Sequence, residues 1–226
     1  MAGETDLLLL ALQYGDSAFP SGGFAFSWGL EGLAADGLIE TAADVGELAH
    51  DQLVHRWNGM DRVLLRASYD AAAAGVDIAA IDRRCEAATL SEPMRAGSKR
   101  AGRGLLRVHA RLGHAAAVAY RAVAGADAAL GHLPVVQGLV FQASGLSRPA
   151  AEGLSGWAVV TALGSAAVRL GLMGHIEAQQ MAAALRLVLA RLLHAEPPSQ
   201  ALSSFTPLAD IAMTRNPSRP MRMFAT

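Results

Sequence analysis

A single cysteine, Cys85, stands in a chain of 226 residues. One thiol excludes an intrachain disulfide and any zinc cage built from cysteines, and it fits a reducing compartment. Aromatic residues make up only 5% and clusters of β-branched residues are few, which argues against a β-rich fold. Charged residues are scarce at 17%, against 52% hydrophobic. Disordered chains show the opposite balance, so a large core or a large sticky interface is expected. Basic residues are missing from the first six positions, where Glu4 and Asp6 stand instead, so the positive start of a signal peptide is absent. The longest uncharged run, Ala128 to Ser147, contains His132, Pro134, Gln137, Gln142 and several glycines. It reads as a buried helix with its lead-in loop rather than a membrane span. A cytoplasmic protein is the expectation.

What the chain does have is alanine, the best helix former, and apolar residues at helical spacing. Thr41 and Asp44 have the spacing of a capping box, and Val45, Leu48, Ala49, Leu53 and Trp57 recur behind them on one face. Further helices are expected around residues 60–71 and 78–88. A long one follows from Ser91 to about Leu112, then others over 114–124, 135–144, 149–172 and 175–194. Gly15 to Gly23 is too rich in turn residues for regular helix, although helix can resume over Phe24 to Ala34. Pro197-Pro198 ends the last helix. The fold class is therefore all-α. One domain over residues 1–198 is expected to form a bundle of about eight to ten helices, followed by an irregular tail over 199–226.

The net charge of −1 hides an asymmetry. Residues 1–92 carry 15 acids and 5 arginines, a net of −10, and residues 93–226 carry 5 acids and 14 basic residues, a net of +9. The two parts should attract, within the chain or between copies. Arg95, Lys99, Arg103, Arg107 and Arg111 recur every four residues, with Arg100 beside them, and form a cationic ridge on one helix. Like charges at this spacing repel, so the ridge needs a counterpart. It either pairs with the acidic region, stays solvated, or docks an acidic protein surface. Nucleic acid is disfavoured by the near-neutral total charge and the lack of interleaved aromatics.

Reactive constellations are not found. No phosphate-binding loop or dinucleotide fingerprint is present. Ser27, in Ala25-Phe-Ser-Trp-Gly29, echoes a nucleophile elbow but lacks the strand that the motif needs. His50 and His55, and likewise His109 and His114, are five residues apart, a spacing that does not share a helix face well. No strong metal site is expected from them. Cys85 sits on an apolar stripe and reads as packing. Gly153, Gly156, Ala162, Gly164, Ala166 and Ala167 permit close helix approach, inside the bundle or across a homodimer.

Four blocks in order carry a resemblance. They are Leu12 to Glu31, with Asp16, Ser17, Phe19, Pro20, Gly22, Gly23 and Ser27; Ser91 to Leu106, with Arg95, Lys99 and Arg103; Gly131 to Gly138, with His132; and Ser165 to Leu170, with Arg169, followed by Gln179. In this order the chain resembles the UreF family of urease accessory proteins. The resemblance implies an all-helical homodimer that is not an enzyme and holds no cofactor tightly. Its implied role is an adaptor bridging a UreD-type (UreH-type) accessory protein, a UreG-type GTPase and apo-urease while nickel is inserted. The alternative is a diverged adaptor or a nickel-binding chaperone serving another metalloenzyme. Implied partner-binding residues are those named in the blocks, Glu31 included, and Asp210, Arg215, Arg222 and Phe224 in the tail. At 216–217 the tail has Asn216-Pro217 where the family often has His-Glu.

Overall fold

Helix caps and left-handed glycines set the boundaries of the elements. In the computed structural model, residues 3–20, 26–198, 201–215 and 224 are described, and among them no strand occurs. The α-helices are α1 (Glu4–Gly15), α2 (Leu30–Ala35), α3 (Ala42–Asp51), α4 (Arg62–Ala73), α5 (Ala79–Ala88), α6 (Glu92–Arg111), α7 (Ala115–Ala126), α8 (Leu133–Ala143), α9 (Arg148–Arg169), α10 (His175–His194) and α11 (Pro207–Arg215). A π-helical stretch, Gln52–Asp61, joins α3 to α4. Counting that run as one rod leaves ten helices among the described residues, within the eight to ten expected.

The capping box forms as the sequence implies. The Asp44 amide donates to Thr41 Oγ1 at 3.2 Å, and the Thr41 amide donates to Asp44 Oδ2 at 2.8 Å. Together with the Glu40 amide, this holds the Asp44 carboxyl below the usual range. Two expectations change. Helix does not begin at Phe26, because Trp28 (φ 53°) and Gly29 (φ 85°) are left-handed and delay α2 to Leu30. Residues 24 and 25 lie outside the described set. The tail expected to be irregular carries the nine-residue α11, with Ala209, Ala212 and Met213 buried.

By its contacts the chain divides into two compact units, each assembled from three segments. The first comprises Met1–Gly22, Asp61–Thr89 and Ser98–Ser155. Its centre is α8, whose residues from Pro134 to Phe141 are all buried. α4 lies closely along α8 because Gly138 has no side chain: a Cβ there would press on the Leu65 carbonyl and come within 2.8 Å of Ser68 Cβ. Ser68 Oγ donates to the Val135 carbonyl at 2.7 Å and Tyr69 Oη to the Leu146 carbonyl at 2.7 Å, which fixes the register. Leu64, Leu65, Val135, Val136 and Val140 are no more than 1% exposed. Each contributes about 1.5–3 kcal/mol of apolar burial. Arg62 Nε donates to Glu152 Oε2 at 2.6 Å in the same unit, with both side chains buried.

The second unit comprises Gly23–Met60, Leu90–Gly97 and Gly156–Thr226. The described tail residues 201–215 are counted with it. α10 packs on α3, and α11 packs on α2. The α11 contact depends on two glycines. A Cβ at Gly29 would sit 2.9 Å from the Ala209 carbonyl, and one at Gly32 would sit 2.9 Å from the Ala212 carbonyl. The π-helical stretch supplies a second seat. The Ser203 amide donates to the Gly59 carbonyl at 3.0 Å and the Phe205 amide to the His55 carbonyl at 3.1 Å.

Candidate functional site

In the first unit the second and third sequence blocks meet. Gly102 of α6 lies against the backbone of Gly131, His132 and Leu133, and a Cβ there would collide with all three. Ser98 Oγ accepts from the Leu133 amide at 3.1 Å, so a side chain of α6 caps the start of α8. Arg103 reaches over the same loop. Its Nε donates to the Leu130 carbonyl at 3.0 Å and its Nη2 to the Asp127 carbonyl at 3.0 Å. From the other side Asp82, with no exposed surface, accepts from Tyr120 Oη at 2.6 Å and from the Gly131 and His132 amides. Burial, and then the Asp82 hydrogen bond and charge, push the Tyr120 hydroxyl far up.

His132 is wholly buried, and its Nε2 lies 2.7 Å from Glu86 Oε2. Lys99 Nζ lies 2.8 Å from the same oxygen. Burial raises the Glu86 pKa, but the Lys99 and His132 hydrogen bonds outweigh it and hold the carboxyl below its ordinary value. His132 is shifted down because desolvation of its ring outweighs the nearby Asp82 and Glu86 charges. The network therefore orders a loop.

The ridge on α6 divides along its length. Lys99 pairs with the acidic region, Arg103 clamps carbonyls, and Arg95 donates to the Leu90 carbonyl at 2.8 Å. Arg100, Arg107 and Arg111 are exposed. A four-residue spacing drifts round the helix, so only part of such a row can face inward.

The first block opens with an aromatic cluster. Tyr14 and the buried Phe19 pack on His109 with ring centroids 5.0 and 5.8 Å apart. The Asp16 carboxylate accepts from the Ala18 amide at 2.6 Å and shapes the turn. Further along that block, in the second unit, Ser27 has no exposed surface. A hydroxyl sealed in the core cannot meet a substrate, which removes the elbow reading. Glu31 Oε2 accepts from the Phe224 amide at 3.3 Å, and the Arg169 guanidinium lies 4.3 Å from the Phe224 ring centroid. Block four and the tail are thus brought together. Asp210 is half-buried, and desolvation raises its pKa against the pull of Arg56.

A model of the UreF family matches residues 39–186. The urease accessory protein UreF of Trichodesmium erythraeum is 30% identical over 236 aligned residues, covering 96% of each chain. The urease accessory protein UreF of Cereibacter sphaeroides is 32% identical over 223 residues, covering 97% of this chain and 98% of the relative. That of Arthrobacter is 30% identical over 184 residues, covering 80% and 79%.

The chain belongs to the UreF family.

Within this UreF-family fold the residues implied by the resemblance differ in burial. Phe19, Ser27, Glu31, His132 and Phe224 are buried and act on the chain's own packing. Asp16, Ser17, Pro20, Arg169, Gln179 and Arg215 are exposed, and Arg95, Lys99, Arg103 and Asp210 are half-buried. Gly22, Gly23 and Arg222, with Asn216-Pro217, lie outside the described residues. Asp82, Tyr120 and Gly102 are not marked as a group by any local pattern, because their partners are 29 to 50 residues away. Large apolar side chains are exposed at Leu8, Leu9 and Leu12 on α1 and at Phe205, Leu208 and Ile211 on the tail. Among the described residues no three His, Cys, Asp or Glu side chains cluster as metal ligands, and no helix is long and apolar enough to cross a membrane.

Proposed function

We propose that this UreF-family chain acts in urease maturation as an adaptor that bridges a UreD-type accessory protein, a UreG-type GTPase and apo-urease. In this reading it works in the cytoplasm as a homodimer, performs no bond chemistry, and holds no cofactor tightly; nickel is cargo of the assembly. One observation carries the reading. Ser98, Arg103 and His132 of the sequence blocks are engaged in ordering a loop of this chain, while apolar side chains on α1 and on residues 205–211 turn outward. Phe205 is 73% exposed and Leu208 65%, on a segment whose opposite face is seated through Ala209 and Ala212. Large apolar groups held outward on an ordered support mark a protein-binding surface.

The test is co-expression with the UreD-type partner followed by size-exclusion chromatography. The full chain should co-elute with the partner. Deletion of residues 200–226, or Phe205→Asp with Leu208→Asp, should abolish co-elution while helical content persists. Separate elution of the intact chain and its partner at micromolar concentration refutes the reading.

A further inference from the structure

His109 and His114 come together through the end of α6. Gly113 (φ 90°) closes that helix in a left-handed turn, with the His114 amide donating to the His109 carbonyl at 3.1 Å. The turn folds His114 back on His109, which a continuous helix would not do. Their Nδ1 atoms stand 3.3 Å apart. Ser144 Oγ, just beyond α8, lies 3.2 Å from His114 Nδ1.

We propose that His109 Nδ1, His114 Nδ1 and Ser144 Oγ form a weak, exchangeable site for a first-row divalent cation of the zinc or cobalt type, completed by water. Metal–nitrogen bonds of about 2.0–2.1 Å in a tetrahedron place neighbouring donors about 3.3 Å apart. Both separations, 3.3 and 3.2 Å, match that edge. Ser144 donates its own proton to the Val140 carbonyl at 2.7 Å, which turns its lone pairs toward His114 and Tyr14. His114 is only half-buried and offers an entry path. None of the three donors is a carboxylate or thiolate, which keeps the affinity modest. Because Tyr14 and Phe19 pack on His109, an occupied site would stiffen the turn that presents Asp16, Ser17 and Pro20.

The test is a Co²⁺ titration of the chelator-stripped full chain. One equivalent should give the visible absorption of tetrahedral cobalt. His114→Ala should weaken binding by at least about tenfold and Ser144→Ala by less. The surface group His50, His55 and Asp51 is the control, and His55→Ala should change nothing. In the unmutated chain, paramagnetic Co²⁺ should broaden the NMR signals of Tyr14 and His109, whatever the folding of the variants. No saturation at millimolar Co²⁺ would overturn the proposal and leave the pair as a plain N–H···N hydrogen bond. So would undiminished binding in a folded His114→Ala protein, or broadening confined to His50 and His55.

Discussion

Replacing Asp82 by Ala should be among the most damaging single changes in the first unit. The carboxylate is fully buried and accepts from three donors, Tyr120 Oη and the amides of Gly131 and His132. Its removal strands all three in a site without exposed surface. Each buried orphan costs about 1–3 kcal/mol, so the sum is on the order of 4–6 kcal/mol after relaxation. That is a large share of the ~5–15 kcal/mol that a folded domain has in hand. Asp82→Asn keeps the shape but turns an amide N–H₂ toward a donor, and should cost roughly half as much. Tyr120→Phe removes one donor and should cost about 1–2 kcal/mol. The two sites share a bond, so the Asp82→Ala/Tyr120→Phe double variant should lose less than the sum of the singles. Urea titration followed by circular dichroism measures these differences, with the slope checked for constancy. A loss below about 1 kcal/mol for Asp82→Ala, at unchanged slope, would refute the assignment of the carboxylate as the anchor of the 127–132 loop.

Three further outcomes follow from the same geometry. Gly32→Leu forces a side chain against the Ala212 carbonyl and should unseat α11, at a cost of about 1–3 kcal/mol; limited proteolysis should then cut within 201–215 faster than in the parent. The His109 pKa falls from 6.5 to about 4 on folding, so its stabilisation is complete above pH 6.5 and is lost as pH drops toward 4. The loss is up to about 3 kcal/mol, and the stability of chelator-treated His109→Phe should no longer show this slope between those values. Glu86 is also lowered, against burial and through Lys99 and His132, so its contribution is present above the ordinary carboxylate pKa and fades as pH falls below it. Lys99→Met should therefore move the acid-unfolding midpoint to higher pH, and an unchanged midpoint would show that the Lys99–Glu86 pair does not lower the Glu86 pKa.

Local signals carried much of the architecture. The Thr41 box, the prolines at 134 and 149, and the apolar spacing along α8 and α10 place helices that need only near neighbours to form. The same is true of the ordered glycine, proline and arginine blocks through which family membership was legible. Three features were not legible. The tail reads as irregular because α11 is nine residues long with a weak apolar face, and its helix is held by contact with Gly29 and Gly32. The histidine pair was set aside because helical spacing separates positions five apart, yet Gly113 breaks the helix between them. The ridge read as one surface, but Lys99 and Arg103 turn to Glu86 and to the 127–130 carbonyls while Arg100, Arg107 and Arg111 face water.

By itself, then, the order of residues determined the all-helical class, most helix starts and stops, and the family. Those depend on backbone preferences and spacings within a turn or two. Only the tertiary structure decided which polar side chains were drawn inside, which histidines met and which apolar groups stayed in water. Such choices follow from which helices pack together, and the partners lie tens of residues apart in the chain.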